Sequence, residues 1–335
     1  MIRAAITSVG KFVPQRAITN QDMEKIIDTT DEWIVQRTGI RTRHFLDPGL
    51  GNSYMASRAA MECLNRVGTA PSEVDTIIVG TISSDKPFPS TACITQSIIG
   101  ADNAWGFDLA AGCSGFLFAL TTGAQFIESG HSKKVLVIGS DVNSMYLNSE
   151  ERNTYVIFGD GAGAVLLEPS EDPELGIIDF MSQIDGEGGP YLQVKAGGSK
   201  RPATLETVKN KEHFVYQDGK TVFKHAVKNM ADVAVTMMER NNIGSEDLDL
   251  FVPHQANIRI IEACAKRMKI DPDKVMITID KYANTTCGSI PLCLCDAVEQ
   301  GRVGKGAKVI IASFGAGFAW GSVYMRWTMN SNRSK

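Results

Sequence analysis

Two stretches of this chain repeat one order of events, and that repetition constrains its fold more than any other feature. In the first, VDTIIVG (Val74–Gly80) is followed by GCSGFLFALTTGAQFIESG and then by KVLVIGS (Lys134–Ser140). In the second, LDLFVPH (Leu248–His254) is followed by NTTCGSIPLCLCDAVEQG and then by KVIIASF (Lys308–Phe314). The short apolar runs are rich in β-branched residues and read as strands covered on both faces. Between them lie a glycine-containing turn and a helix-like stretch. Setting Gly130 against Gly301, 171 positions on, places Cys113 opposite Asn284. Setting Val74 against Leu248, 174 positions on, places His254 opposite Gly80. Identity is weak but order is kept, so the chain reads as α/β and duplicated, with residues 1–170 and 171–335 as two packed halves. No Ser/Gly/Pro-rich linker separates them. Matching strand ends and helix starts should meet near a pseudo-symmetry axis, bringing Cys113, His254 and Asn284 together.

Each of the three has a plainer reading when taken alone: a buried structural cysteine, a satisfied core histidine, a turn or cap asparagine. Their local settings favour chemistry. Cys113 lies in AAGCSGF, between the strand-like WGFDLA and an apolar stripe of Phe116, Leu120, Ala124 and Ile127 at helical spacing. A cysteine where a helix begins feels unpaired N–H groups and the positive end of the dipole, which favour thiolate. This has the logic of a nucleophile elbow, with sulfur in place of serine oxygen. His254 ends an apolar strand, and Pro253 suggests that the ladder stops there. Asn284 precedes a second helix with Pro291 near its start. FGAGFAWG (Phe314–Gly321) is a candidate oxyanion loop, its glycines letting backbone N–H groups approach a carbonyl. FGDGAGAVLLE (Phe158–Glu168) matches neither phosphate-loop pattern and leads into a β-like run, so close packing beside the site is its expected role.

Composition narrows the classes. With 34 basic against 38 acidic residues the net charge is −4, which argues against general nucleic-acid binding. The start MIRAAITSVGKFVP lacks signal-peptide features, and no run approaches the roughly 18 apolar residues of a membrane span. Seven cysteines without any CxxC pair, Cys293 and Cys295 being two apart, suit neither a zinc site nor a disulfide framework. A reduced, cytoplasmic protein with no metal site is expected.

With those motifs in hand, the chain resembles β-ketoacyl-acyl carrier protein synthase III, the initiating condensing enzyme of bacterial type II fatty acid synthesis. TTDEWIVQRTGIRTRH (Thr29–His44), FPSTAC (Phe88–Cys93), AAGCSGF, IFGDGAGA, VPHQANIR, ANTT and FGAGFAWG fit the family and occur in its order, from about Ile2 to Trp327. The resemblance implies a thiolase-like fold, two pseudo-symmetric α/β halves in five αβαβα layers, and a homodimer. It implies a decarboxylating Claisen condensation of a short acyl-coenzyme A, acetyl-coenzyme A by expectation, with malonyl-acyl carrier protein. Carried over residue by residue, Cys113 accepts the acyl group, and His254 and Asn284 polarise the malonyl thioester. The backbone N–H groups of Cys113 and Ala316 form the oxyanion site. Trp33, Arg37 and Arg152 hold the coenzyme nucleotide, Phe314 lies in the substrate site, and Phe88 reaches the partner subunit's acyl pocket. Gln255, Ala256, Asn257, Ile258, Arg259, Lys266 and Arg267 meet the carrier protein. Coenzyme A enters as a substrate thioester, with no separate cofactor.

Two departures stand out. Ala316 replaces a glycine frequent in the family's last loop, which keeps the N–H but restricts φ. The stretch Gly186–Lys220 is longer and more polar than in compact members and is expected to reshape the entrance or the dimer surface. Three rival readings remain. One is a relative that only transfers acyl groups or builds ketones or polyketides. Another is a non-catalytic binding module. The third is a cysteine protease, since Cys113 and His254 stand 141 residues apart in the order Cys, His, Asn. The CGSCW-type protease motif is missing.

Overall fold

The computed structural model describes residues 2–330. Along the chain the elements that build the site are β1 (Ala4–Phe12), α1 (Asp31–Thr38), α2 (Asn52–Val67), β2 (Thr76–Gly80), β3 (Trp105–Leu109), α3 (Gly115–Glu128), β4 (Val135–Asp141) and β5 (Gly161–Pro169). There follow β6 (Gly176–Ile184), β7 (Leu192–Val194), β8 (Val215–Gln217), α4 (Gly219–Arg240), β9 (Leu250–Pro253), α5 (Ile258–Met268), α6 (Ser289–Glu299), β10 (Lys308–Gly315) and β11 (Ala319–Arg326).

Two sheets carry the repeated order. The first runs β1-β5-β4-β2-β3 and the second β6-β11-β10-β9. Pairing agrees strand for strand. β1 with β5 and β5 with β4 are antiparallel, as are β6 with β11 and β11 with β10. β4 with β2 and β10 with β9 are parallel. Only β3 lacks a full counterpart, and a single parallel bridge between Phe251 and Val275 stands in its place. The apolar runs read from sequence are β2, β4 and β10. β2 and β4 are buried throughout, as strands with helices on both faces must be.

Five layers result. α2 covers the outer face of the first sheet, where Met55, Ala56, Ala59, Ala60, Cys63 and Leu64 pack against Ile77, Val79, Leu136 and Ile138. α4 and α5 cover the outer face of the second sheet. α3 and α6 lie between the sheets, and their side chains merge with inward residues of both sheets into one core. That explains why α3 buries Phe116, Leu117, Ala119, Leu120, Ala124 and Ile127, and why α6 is buried from Ser289 to Val298. A helix apolar all round can only sit inside. Truncating a side chain such as Leu120 to alanine here costs about 2–5 kcal/mol, because neighbours on two sheets cannot both close the gap. No helix among the described residues is long and apolar enough to cross a membrane.

Candidate active site

The start of α3 is held against the hairpin of the other sheet. Gly112 has φ +52°, and a Cβ there would lie 2.6 Å from the Ala316 carbonyl oxygen. A Cβ at Gly315 would lie 2.4 Å from the Cys113 nitrogen. Both positions therefore need glycine for the backbones to touch. The Ser114 hydroxyl donates to the Ala319 carbonyl at 2.9 Å, and Ser313 donates to the Cys113 carbonyl at 3.1 Å. The sharp turn is thus fixed from the second sheet, and Ala316 keeps a negative φ, so its methyl group adds no backbone strain.

The thiol itself departs from the sequence expectation. Burial, with the Asp141 carboxylate adding to it, pushes the Cys113 thiol up to about 12. The amides of Ala316 and Cys113 pull the other way but do not prevail. α3 begins at Gly115, and its N-cap is Ser114, so the sulfur sits just before the helix rather than inside its first turn. In the resting protein the nucleophile is a protonated, buried thiol with two backbone N–H groups near the sulfur.

His254 follows β9 directly. Its N–H donates to the Ala312 carbonyl at 2.8 Å, so the ladder runs one residue past Pro253, whose missing donor falls on the open edge. The imidazole is buried, and that burial alone lowers its pKa to about 3. Nδ1 lies 2.6 Å from Ser289 Oγ, while Nε2 has no partner among the described residues. Asn284 is clamped by backbone bonds to Ile157 and Gly159, both 3.0 Å. Its Oδ1 accepts the Thr286 N–H at 2.9 Å, which leaves the NH₂ end without a bond to another described residue. Ala283 and Thr286 on either side have φ of +57° and +46°, strained values that concentrate at functional turns.

Cys113, His254, Asn284 and Phe314 line one cavity of about 600 Å³ that reaches Trp33 and Arg37 at its other end. A second cavity of about 280 Å³ also reaches Cys113, lined by Ile82, Tyr146, Leu147, Val194, Val215 and Ala316 among others. Phe158 and Leu192 border both.

Comparison with known proteins gives this geometry a lineage. Residues 107–186 match the family described as "3-Oxoacyl-[acyl-carrier-protein (ACP)] synthase III", and residues 238–327 match its C-terminal counterpart. A "Beta-ketoacyl-[acyl-carrier-protein] synthase III" of Koribacter versatilis is 52% identical over 326 residues, 97% of this chain and 98% of the relative. The chain belongs to the β-ketoacyl-acyl carrier protein synthase III family. The crystal structure of 3-oxoacyl-[acyl-carrier-protein] synthase III from Aquifex aeolicus superposes with a TM-score of 0.89 at 38% identity, covering 97% of this chain and 100% of that one. The priming β-ketosynthase of the R1128 polyketide biosynthetic pathway superposes with a TM-score of 0.90 at 32% identity, covering 98% and 97%.

Membership in the synthase III family makes the chain an acyltransferase with the thiolase-like fold, and it removes the protease and binding-module readings. The stretch Gly186–Lys220 forms the β7–β8 ribbon, and Leu192, Val194 and Val215 are walls of the cavities at Cys113.

The remaining residues singled out from sequence fall into three groups. Trp33 stands at the cavity's far end on α1, which Thr30 caps by accepting the Trp33 N–H at 3.1 Å. The guanidinium carbons of Arg152 and Arg37 lie 4.6 and 5.6 Å from the Trp33 ring centroid, so the three form one cluster. Ala256, Asn257 and Arg259 line the same cavity, and Lys266 and Arg267 are exposed on α5. Two residues do not fit their expected place. Gln255 is 1% exposed, bonded to Pro253, Met276, Thr278 and Ile279, and so cannot meet a carrier protein. Ile258 is half-buried against the apolar cluster that contains Ile34 and Ile40, with little to offer a partner. Phe88 is 83% exposed and lines neither cavity of its own chain. Sequence reading missed Ser289, the Asp141 network and the cavity walls, because nothing in local pattern marks a residue by what another element brings to it.

Proposed function

We propose that this chain condenses a short acyl-coenzyme A with malonyl-acyl carrier protein, giving a 3-oxoacyl carrier protein and initiating type II fatty acid synthesis. The observation that carries this reading is the cavity running from Trp33 and Arg37 to Cys113, His254 and Asn284. A thioester on a long, flexible arm needs such a passage: a planar cation and an aromatic face at the entrance, and a nucleophile with hydrogen-bond donors at the end.

In the first half-reaction the Cys113 sulfur attacks the acyl carbonyl, the coenzyme sulfur leaves, and the proton lost by Cys113 ends on that sulfur. The amides of Cys113 and Ala316 hold the oxyanion, and the second cavity receives the acyl chain. In the second, the malonyl thioester loses carbon dioxide, His254 and Asn284 donate to its enolate oxygen, and the carbanion attacks acyl-Cys113; the acyl carbon–sulfur bond breaks, and the departing Cys113 thiolate takes up one proton from solvent. The reaction balances without a metal or redox cofactor. Two copies would complete the site, with Phe88 of each reaching the acyl pocket of the other. We read residues 1–170 and 171–335 as the two halves and the cytoplasm as the compartment.

The carrier protein would meet Arg259, Lys266 and Arg267, joined by Lys220, Lys224 and Lys228 along one exposed face of α4. The likeness to a polyketide priming synthase supports a second reading, in which the same condensation serves a polyketide carrier protein. Kinetics with acidic carrier proteins of each kind separate the two. Failure to elongate any malonyl carrier protein overturns both.

A further inference from the structure

Ser289 begins α6 and is 2% exposed, with its hydroxyl 2.6 Å from His254 Nδ1. A buried hydroxyl carries one proton and needs an acceptor for it, since an unmade buried bond costs about 1–3 kcal/mol. Among the described residues Ser289 Oγ has one other contact, the Gln255 N–H at 3.5 Å, and that group is a donor. The only acceptor in reach is therefore Nδ1. A neutral imidazole that accepts at Nδ1 carries its proton on Nε2. Burial keeps the ring neutral, and no carboxylate among the described residues bonds it. Nε2 is the ring atom without a partner among the described residues, in the cavity that His254 lines with Cys113 and Asn284.

We infer that Ser289 is a positioning residue that sets the tautomer of His254, fixing Nε2–H as a hydrogen-bond donor to the malonyl thioester rather than as a base for Cys113. The inference rests on the condensation reading above. It assigns to α6 a second task besides filling the central layer: its first residue supplies the proton that orders the His254 ring just past β9. Together with the Asn284 amide, which Thr286 orients the same way, the site presents two fixed donors to one oxygen.

The test uses the full-length protein labelled with ¹⁵N at its five histidines, with His254 assigned through His254→Gln. In the wild type, His254 should show protonated Nε2 and unprotonated Nδ1 across pH 6–8. Ser289→Ala should shift that signature toward a mixture and slow decarboxylation of malonyl carrier protein by about tenfold to a hundredfold. Acylation of Cys113 should change by no more than about threefold, and Ser289→Thr should restore both the signature and much of the rate. A wild-type proton on Nδ1, or a Ser289→Ala variant with unchanged signature and decarboxylation, overturns the inference. If the wild type itself never decarboxylates malonyl carrier protein, the condensation reading fails, whatever the ring nitrogens show.

Discussion

The carboxylate of Asp141, at the end of β4, accepts the backbone N–H of Cys287 from the turn before α6 at 3.0 Å. The same Oδ2 accepts the Thr286 hydroxyl, while Oδ1 accepts from Thr81 Oγ1 at 2.9 Å, Ile82 N at 2.8 Å and Ser83 Oγ at 2.8 Å. One buried carboxylate thus ties a loop at the end of β2 to the turn that carries Asn284. Asp141→Ala leaves five donors without this partner. It should lower unfolding stability by about 3 kcal/mol or more, read from the urea midpoint. A loss under about 1 kcal/mol would show that the network is dispensable.

The high pKa of Cys113 predicts a specific pH profile. Only thiolate reacts with an alkylating agent, so with the group held near 12 the rate at Cys113 should climb about tenfold per pH unit through pH 7–9. A plateau near pH 8 would mean that the amides of Ala316 and Cys113 outweigh burial.

His254 links pH to stability. The ring titrates near 6.5 when unfolded and near 3 when folded. Between those values the unfolded chain binds more protons, so stability is lost as pH falls from about 6.5 toward about 3, by up to about 1.4 kcal/mol per unit. His254→Gln removes that titration and should show a shallower loss between pH 7 and pH 5 in urea unfolding. Parallel profiles would contradict the buried neutral ring.

How much of this was legible in the sequence depends on whether a residue's role is local or supplied from elsewhere. The strands β2, β4 and β10, the turn at Cys113 and the convergence of Cys113, His254 and Asn284 followed from apolar runs and their repetition. The cap of α5 is a local feature too: the Asn257 side chain accepts the Arg259 N–H at 2.9 Å, the role asparagine commonly takes at a helix start. Gln255 was misplaced because its neighbours Ala256 and Asn257 do line the cavity, while its own amide turns inward to carbonyls and N–H groups that only the fold assembles. The cysteine pKa was misread for a related reason: a helix start is visible in sequence, but burial against the second sheet is not.

Entrance and docking surfaces should separate kinetically. Arg37→Ala should raise KM for acyl-coenzyme A about tenfold with little change in kcat, because its guanidinium lies with Trp33 at the mouth, away from the sulfur. Arg259→Glu should slow the reaction with malonyl carrier protein and weaken its salt dependence, while acylation by acyl-coenzyme A stays nearly intact. An unchanged KM for the first variant, or unchanged carrier kinetics for the second, removes that residue from the assigned surface.

The central claim is that acyl groups pass through Cys113 to a new carbon–carbon bond, and intact-protein mass spectrometry tests it most directly. Exposure to a panel of acyl-coenzyme A thioesters should add one acyl mass to the wild type and none to Cys113→Ala. Adding malonyl carrier protein should then discharge that mass and yield a carrier protein bearing the elongated 3-oxoacyl chain. An acyl mass that persists on Cys113→Ala, or a wild-type adduct that malonyl carrier protein leaves in place, would contradict the account.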